Sequence, residues 1–396
     1  MAMTADGGAE PAATTTSRGR PAFLELFFDL VYVFALISLV KTLAENLTWT
    51  GFAEVLVLLL AFTLVWAITT WAADSLDLSR PLVQVQLIAV AAASLLLAAA
   101  TPEAYDGRGL LFALTYLTIH LGSSGYYLLF DRKAPEPRRS GRILFWYVIA
   151  AVGWVGGGLT DGATRLALWA AAVTVEYTAA SLGWPVPRFG RSQPQEWRLI
   201  GERVAERYRQ FVIIALGAAL FVTGTMYTMH DHTAGRAMAL VVIFTGVVLM
   251  WRIYIYRAGE LLTEAIARST NPSLLTQSAA VTHLIMVAGI AGVAVTAHLV
   301  VVRPFGPTPA SWATVILGGP ALFLIGRGVL DYTVFARISR SRLVGLALLG
   351  AVAPVATRLP PVGVALLSVA VLLLIAAANL VSTRRHTRSP RPPAHG

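Results

Sequence analysis

Two carboxylates, Glu25 and Asp29, stand out because they lie inside the long apolar stretch Phe23–Val40. Four residues are slightly more than one helical turn, so a helix would project both side chains from nearly the same face. Acids inside a membrane helix are costly, and they usually face the protein interior or a wet cavity, where they bind solutes or carry protons. The spacing therefore predicts a polar site inside a membrane protein, with Asp29 at its centre.

Other polar residues at a similar predicted depth are candidate partners for these acids. Acids that face arginines and a histidine neutralise one another, which makes buried charge tolerable. Crowded carboxylates can also exchange protons near neutral pH, and His283 is the natural proton-transfer partner. We expect a solute-binding pocket formed by Glu25, Asp29, Glu176, Tyr177, Arg207, Arg252, Tyr254 and His283. If the pocket is catalytic, the candidates for acid and base are Asp29, Glu25 and His283.

Several of these residues also have simpler explanations. Glu25 and Glu176 sit near predicted helix ends, where a long side chain can reach the interface. Membrane topology explains Arg207 and Arg252 as well as a function does, because the cytoplasmic ends of membrane helices are enriched in basic residues. His283 could instead make a hydrogen bond between helices. Asp29 has no such explanation, so the prediction rests mainly on it.

The elements that must position these residues are transmembrane helices. Of 396 residues, 56% are hydrophobic and only 13% are charged, and the apolar residues come in blocks of about twenty, the length that crosses a bilayer. This pattern predicts an all-α integral membrane protein, a polytopic bundle of about 12 transmembrane helices. The predicted spans are Phe23–Val40, Phe52–Ala73, Leu82–Ala100, Leu110–Phe130, Ile143–Thr160, Leu166–Leu182, Phe211–Met229, Ala237–Trp251, Ala279–Val302, Ser311–Leu330, Leu343–Ala356 and Val362–Val381.

Basic residues favour this count and give an orientation. When alternate loops are assigned to opposite sides, 25 of the 31 Lys and Arg residues fall on one side and 6 on the other. Because cytoplasmic loops are enriched in these residues, both termini are predicted to be cytoplasmic, in a multi-pass protein of the cell membrane. This places Glu25 and Asp29 in the cytoplasmic half. Tryptophans near span ends, among them Trp49, Trp169 and Trp184, are predicted to anchor the helices at the interfaces.

The longest loop divides the chain into two halves. We predict a disordered tail over 1–20, a six-helix half over 21–182, a cytoplasmic loop with an amphipathic helix over 183–210, a second six-helix half over 211–382 and a basic disordered tail over 383–396. Six spans plus six are compatible with an internal repeat, although the sequence contains no clear residue-level repeat.

Absent motifs exclude several function classes. The chain has no cysteine, which removes disulfides, thiolate nucleophiles and cysteine-ligated metals. It contains no phosphate-binding loop, dinucleotide fingerprint, nucleophile elbow or His-Glu-x-x-His zinc motif, so we expect no cofactor. His230 and His232 flank Asp231, but without a third ligand we expect no metal site. The expected partners are the lipid bilayer and an unidentified small or lipophilic substrate; no nucleic acid is expected, and homo-oligomerisation stays open.

Three stretches together resemble the bacterial low temperature requirement protein A (LtrA) family. Glu25-Leu-Phe-Phe-Asp-Leu-Val-Tyr-Val-Phe-Ala35 is similar to the opening signature of that family, Glu206-Arg-Tyr-Arg-Gln-Phe-Val-Ile-Ile-Ala-Leu-Gly217 to its second signature, and His283-Leu-Ile-Met-Val-Ala-Gly289 to a later segment. The resemblance covers nearly the whole chain and implies a multi-span inner-membrane protein without a settled reaction. Where the second signature continues with Gly-Glu-Ser, this chain has Gly217-Ala218-Ala219, which points to a specialised paralogue.

Two function classes follow from these observations. The first is a transporter or solute-binding protein, proton-coupled through Asp29 and its neighbours, and the six-plus-six arrangement favours it. The second is an integral membrane enzyme that uses the carboxylates for acid and base chemistry, such as isomerisation, cyclisation or transfer, on a lipophilic substrate. The sequence favours the first slightly.

Overall fold

The computed structural model describes residues 19–75, 78–130, 137–192, 198–255 and 272–387, together with positions 262 and 265. Within these residues the chain forms twelve α-helices and no β-strand, which confirms the predicted all-α class. The helices are α1 Gly19–Glu45, α2 Trp49–Ser75, α3 Pro81–Ala100, α4 Gly109–Phe130, α5 Pro137–Gly158, α6 Gly162–Ser181, α7 Arg198–Thr228, α8 Ala234–Tyr254, α9 Pro272–Val302, α10 Ala310–Phe335, α11 Arg340–Ala356 and α12 Pro361–Thr387.

Apolar length explains most of these helices. In hydrocarbon every backbone N–H and C=O must be satisfied within the protein, and a helix satisfies them locally. In the part of the chain that the structure describes, nine helices are long and apolar enough to cross a membrane, namely α1, α2, α3, α5, α7, α8, α9, α10 and α12. These nine support a multi-pass membrane protein. The count of twelve spans stays a prediction.

The packing pattern of the first six helices recurs in the last six. In the first set α1 packs on α2 and α3, α3 on α4, α4 on α5, α5 on α6, and α2 on α6. In the second set α7 packs on α8 and α9, α9 on α10, α10 on α11, α11 on α12, and α8 on α12. The two sets meet where α1 packs on α7 and α9 and where α2 packs on α7. The first helix of each set therefore lies at the junction.

Helices α9 and α10 approach each other closely through glycines. A Cβ added to Gly319 on α10 would lie 2.9 Å from the backbone nitrogen of Val293 and 3.0 Å from the carbonyl oxygen of Gly289, both on α9. A side chain at Gly289 would meet the backbone of Phe323 at 2.5 Å. Small residues allow two membrane helices this close an approach, and here they hold the second set together.

Several tryptophans are core residues rather than anchors. Trp169 and Trp184 are buried, so the prediction that they anchor the helices at the interfaces was wrong. Trp169 donates its indole hydrogen to the carbonyl of Trp154, at 3.0 Å, which satisfies a polar group that would otherwise favour the interface. Trp49 is exposed, as an anchor must be.

Two helices continue across predicted boundaries, one at residue 210 and one at residue 382. Helix α7 begins at Arg198 and runs without a break to Thr228, so the amphipathic helix predicted within 183–210 is continuous with the span that follows it. Helix α12 continues to Thr387, so residues 383–387 of the predicted basic tail are helical. Residues 1–18 and 388–396 of the two predicted tails lie outside the described residues.

Candidate functional site

Asp29 lies where α1, α2 and α7 meet, at the junction between the two sets of helices. Its Oδ2 is 3.1 Å from Nη1 of Arg207, and Nη2 of the same guanidinium donates to Oδ1 at 3.4 Å. The indole nitrogen of Trp66 donates to Oδ1 at 3.0 Å. Asp29 is 2% exposed and Arg207 is 4% exposed. The structure thus places a two-point ion pair, the stronger kind of charge-assisted contact, in the interior of the protein.

Glu25 lies one turn earlier on α1 and is the more accessible of the two acids. Its Oε2 is 3.5 Å from Nη1 of Arg207, and its side chain is 17% exposed. The same Nη1 also donates to Oε1 of Gln210, at 2.9 Å. The predicted spacing of Glu25 and Asp29 therefore does bring both acids to one guanidinium. Glu25 stands at the rim of the site and Asp29 at its base.

Aromatic side chains pack around the ion pair, and the sequence did not predict these contacts. Trp66 stacks on Phe211 with 4.3 Å between ring centroids, and the ring of Tyr208 lies 5.6 Å away on a tilted plane. Tyr32 on α1 packs edge-on against Phe211. These contacts fix the direction of the Trp66 indole N–H. A buried tryptophan normally finds an acceptor, but the sequence does not say which one.

His283 and Tyr254 form a second polar group, joined to the first through Tyr208. The hydroxyl of Tyr254 lies 3.0 Å from Nε2 of His283, and Nδ1 lies 2.6 Å from the carbonyl oxygen of Ala279. A carbonyl only accepts, so Nδ1 carries the hydrogen, and in the neutral ring Nε2 accepts from Tyr254. The Tyr208 ring stacks on His283 at 5.1 Å. No hydrogen bond joins His283 to Asp29 or Glu25 among the described side chains.

Glu176 lies in a different group, within the first set of helices. It is fully buried, with Oε2 accepting from the hydroxyl of Tyr116 at 2.7 Å and Oε1 accepting from the indole nitrogen of Trp154 at 2.9 Å. Tyr177, the next residue, donates its hydroxyl hydrogen to the carbonyl of Leu60 on α2, at 3.0 Å. The predicted pocket is thus divided, because Glu176 shares no ion pair with Arg207.

Arg252 stands apart from all three acids. Its side chain lies in the last turn of α8 and is partly exposed. In the described part of the chain it makes no ion pair with Glu25, Asp29 or Glu176. Among the same residues no group of three His, Cys, Asp or Glu side chains is placed to hold a metal ion.

A buried charged triad in the second set was also missed. On α10, Arg327 pairs with Asp331 one turn later and donates from Nε to the carbonyl of Ile253 on α8, at 3.1 Å. Asp331 Oδ2 is 3.5 Å from Nε of Arg342 on α11. Both arginines are buried. The triad joins α8, α10 and α11, which makes it a structural link.

An apolar cavity of about 460 Å³ lies at the opposite end of α1 from Asp29. Leu43, on its wall, follows Asp29 by fourteen residues, about 21 Å along a helix. The cavity is bounded by the end of α1, the start of α2, and α9 and α10, and none of its lining residues is an acid, a base or a histidine. The lining residues are Leu43, Leu47, Thr48, Trp49, Phe52, Val55, Leu56, Leu59, Ala288, Ala291, Gly292, Ala310, Ser311, Thr314, Val315, Gly318, Gly319 and Leu322.

These features define a multi-pass helical membrane protein with buried charged groups. The family described as "Bacterial low temperature requirement A protein (LtrA)" matches residues 20–377, and the chain belongs to that family. It is also 32% identical over 377 residues to "Uncharacterized protein RA0937" of Rhizobium meliloti (strain 1021), a match that covers 94% of this chain and 92% of that protein. No solved structure matches the chain.

Proposed function

We propose that this chain is a proton-coupled transporter of a small solute that carries a positively charged group. The solute binds at Glu25, Asp29 and Arg207, in the cytoplasmic half of the membrane. The observation that carries the proposal is the buried Asp29–Arg207 ion pair at the junction of the two sets of helices. Ionisable residues inside membrane spans are rare, and they are a common mark of solute or ion pathways in membrane proteins.

The position of the pair supports transport. Asp29 lies on α1 and Arg207 on α7, the first helix of each set. In many secondary transporters the substrate site lies at the interface of two internal repeats, and the repeats rock about it to give alternating access. The recurring packing pattern supplies two such units. An ion pair between the units is a contact that a solute can replace as they move.

The topology proposed for this function has twelve spans with both termini in the cytoplasm. Helix α6 has 20 residues and packs on α5, to which a tight link at residues 159–161 joins it. A tight hairpin of this kind supports α6 as a crossing helix. If α4 and α11 also cross, successive loops alternate between the two sides of the membrane, and 25 of the 31 basic residues lie on the cytoplasmic side.

Charge balance suggests the solute class. The site holds two carboxylates and one guanidinium, and Glu206 and Arg209 nearby form their own ion pair at 3.2 Å. Within the cluster that these contacts form, the two carboxylates exceed the single guanidinium by one charge, and the second carboxylate is the accessible Glu25. A solute with an ammonium or guanidinium group neutralises that excess.

The proposal is tested with the full-length protein in vesicles that enclose a pH-sensitive dye. A panel of small organic cations is added outside, and solute-dependent proton movement is expected for the wild type. Asp29→Asn is expected to abolish the movement. The matched control is Glu45→Gln, which alters an exposed acid on the same helix and is expected to leave the movement unchanged. Equal rates for wild type and correctly inserted Asp29→Asn would refute the role of the site.

The enzyme alternative has one observation in its favour, the apolar cavity of about 460 Å³, which is large enough for a lipophilic substrate. However, its lining offers no group for acid or base chemistry. The carboxylates lie near the other end of α1. A lipophilic compound that binds the cavity and is converted to a product that requires Asp29 would favour the enzyme over the transporter.

A further inference from the structure

Glu176 is the most thoroughly enclosed carboxyl group that the structure describes. It is fully buried on α6, between Tyr116 of α4 and Trp154 of α5. Both neighbours are also fully buried and both are electrically neutral. The group therefore lies in the interior of the first set of helices, apart from the junction where Asp29 sits.

No cation neutralises Glu176 among the described side chains. Asp29 has the guanidinium of Arg207 at 3.1 Å, whereas Glu176 has only the two neutral donors. An ionised carboxylate in an apolar interior is very costly without a paired charge, and hydrogen bonds from neutral groups offset only part of that cost. Glu176 can avoid the cost by holding a proton.

The surroundings of Glu176 can accommodate both protonation states. A tyrosine hydroxyl is donor and acceptor, so Tyr116 can donate to the carboxylate or accept from the carboxyl O–H at the same 2.7 Å separation. The change requires the hydroxyl hydrogen to rotate and no movement of heavy atoms. The indole of Trp154 donates to Oε1 in either state.

Other titratable side chains with buried polar atoms lie around Glu176. The titratable residues around Glu176 are Tyr116 and His120 of α4, Tyr147 of α5 and the adjacent Tyr177. His120 stacks on Tyr147 with 4.0 Å between centroids and packs edge-on against Tyr116. Nε2 of His120 and the hydroxyl of Tyr147 are buried and make no hydrogen bond within the described protein. Unsatisfied polar atoms next to a carboxyl are unusual in a core, where most polar atoms are paired.

We propose that Glu176 is the proton-carrying residue of this protein and that Asp29 is not. In the resting state the carboxyl of Glu176 keeps its O–H bond. On release that bond breaks, the electron pair stays on the carboxylate, the Tyr116 hydroxyl turns to donate to it, and the proton is taken up by water. Asp29 stays ionised against Arg207. The role of Glu176 in coupling rests on the proposed transport, whereas its protonation does not.

Infrared spectroscopy of the full-length protein in lipid nanodiscs tests this proposal, because a protonated carboxyl group has a C=O stretch that a carboxylate lacks. At neutral pH the wild type is expected to show this band. Glu176→Gln is expected to lose it and Asp29→Asn to keep it. Deuterated water is expected to shift the band to lower frequency, which shows that the proton exchanges.

A band that persists in Glu176→Gln, or that disappears in Asp29→Asn, would overturn the proposal. If Glu176→Gln does not fold, Tyr116→Phe replaces it, because it leaves the carboxyl group but removes its shortest hydrogen bond, so the band must shift. An unshifted band in Tyr116→Phe would equally refute the assignment.

The two proposals fail separately. A normal band without solute-dependent proton movement in vesicles refutes transport and leaves the proton site standing. Proton movement in vesicles without the band refutes the proton site and leaves transport standing.

Discussion

Asp29 and Glu176 are both buried carboxyl groups, and the protein stabilises them in different ways. Asp29 sits between the two sets of helices and faces a guanidinium that lies 178 residues away in sequence. Glu176 sits inside one set and faces a phenol and an indole. Each acid accepts one hydrogen bond from an indole nitrogen, at 3.0 Å and 2.9 Å. The difference between the two environments is therefore the cation.

The sequence predicted one pocket for both solute binding and proton exchange, but the two charge environments suit these roles separately. A carboxylate paired with arginine keeps its charge and can hold a charged solute. A carboxyl group without a cation is stabilised by a proton and can exchange it. The interior of the protein therefore provides one site for charge recognition and another for proton storage. Substitutions at each site test whether the two carboxyl groups differ in charge.

Arg207→Gln is expected to have the largest effect. It leaves Asp29 buried without its cation, and breaking one side of a buried ion pair costs about 3–5 kcal/mol. The loss is measured as the change in the free energy of unfolding in detergent. The control is Arg209→Gln, whose ion pair with Glu206 is partly exposed and contributes about 0–1 kcal/mol. Similar losses in the two variants would contradict a buried, functional pair.

Replacing each acid by its amide compares the two sites directly. Asp29→Asn leaves Arg207 with Glu25 alone, at 3.5 Å, and is expected to cost about 2–3 kcal/mol. Glu176→Gln keeps the shape and the neutrality of a protonated carboxyl group, so a loss below about 1 kcal/mol is expected. Thermal unfolding of the two variants in the same detergent gives both values. A larger loss for Glu176→Gln would show that Glu176 is ionised in the folded protein.

The two tryptophans provide a second matched pair. Trp66→Phe removes a donor to an ionised carboxylate, and Trp154→Phe removes a donor to a neutral carboxyl group. Hydrogen bonds to charged groups contribute about 1.5–3 kcal/mol and neutral ones about 0.5–1.5 kcal/mol, while the lost ring volume is the same in both variants. Unfolding measurements should therefore show the larger loss for Trp66→Phe. Equal losses of unfolding free energy in the two variants would show that the two carboxyl groups do not differ in charge.

Glu25→Gln is expected to have the smallest effect on stability. Its carboxylate is partly exposed and lies 3.5 Å from a guanidinium that Asp29 already pairs, so the expected loss is about 0.5 kcal/mol. Its effect on solute binding is expected to be larger than its effect on unfolding, because Glu25 carries the excess negative charge. Isothermal titration with an organic cation that produces proton movement in the vesicles measures this affinity. Unchanged affinity would exclude Glu25 from the solute site.

Much of the fold could be predicted from the sequence because it depends on properties that are local in the chain. Apolar length predicts the helices, and the family signature around Glu25 and Asp29 marked the stretch that forms the ion pair. The spacing of the two acids also predicted that they would project from one helix face, and both approach Arg207. The interfacial role of Trp169 was wrong because an indole near a helix end can be satisfied inside the bundle as well as at the interface.

The division of the pocket could not be predicted from the sequence. Depth in the membrane can be counted along each helix, and Asp29, Glu176 and His283 had matching depths. Rotation of each helix about its axis decides which residues meet, and that rotation is set by packing against helices distant in sequence. Residues at the same membrane depth were therefore predicted to share one pocket, but the rotation of their helices places them in separate sites.

The sequence by itself determined the helical membrane class, the family and the presence of acids in the membrane interior. Each follows from hydropathy or from contiguous residues. Only the tertiary structure decided that Asp29 faces a cation and Glu176 does not, because the interhelical contacts that determine the charge environment of a carboxyl group join residues 178 and 60 positions apart.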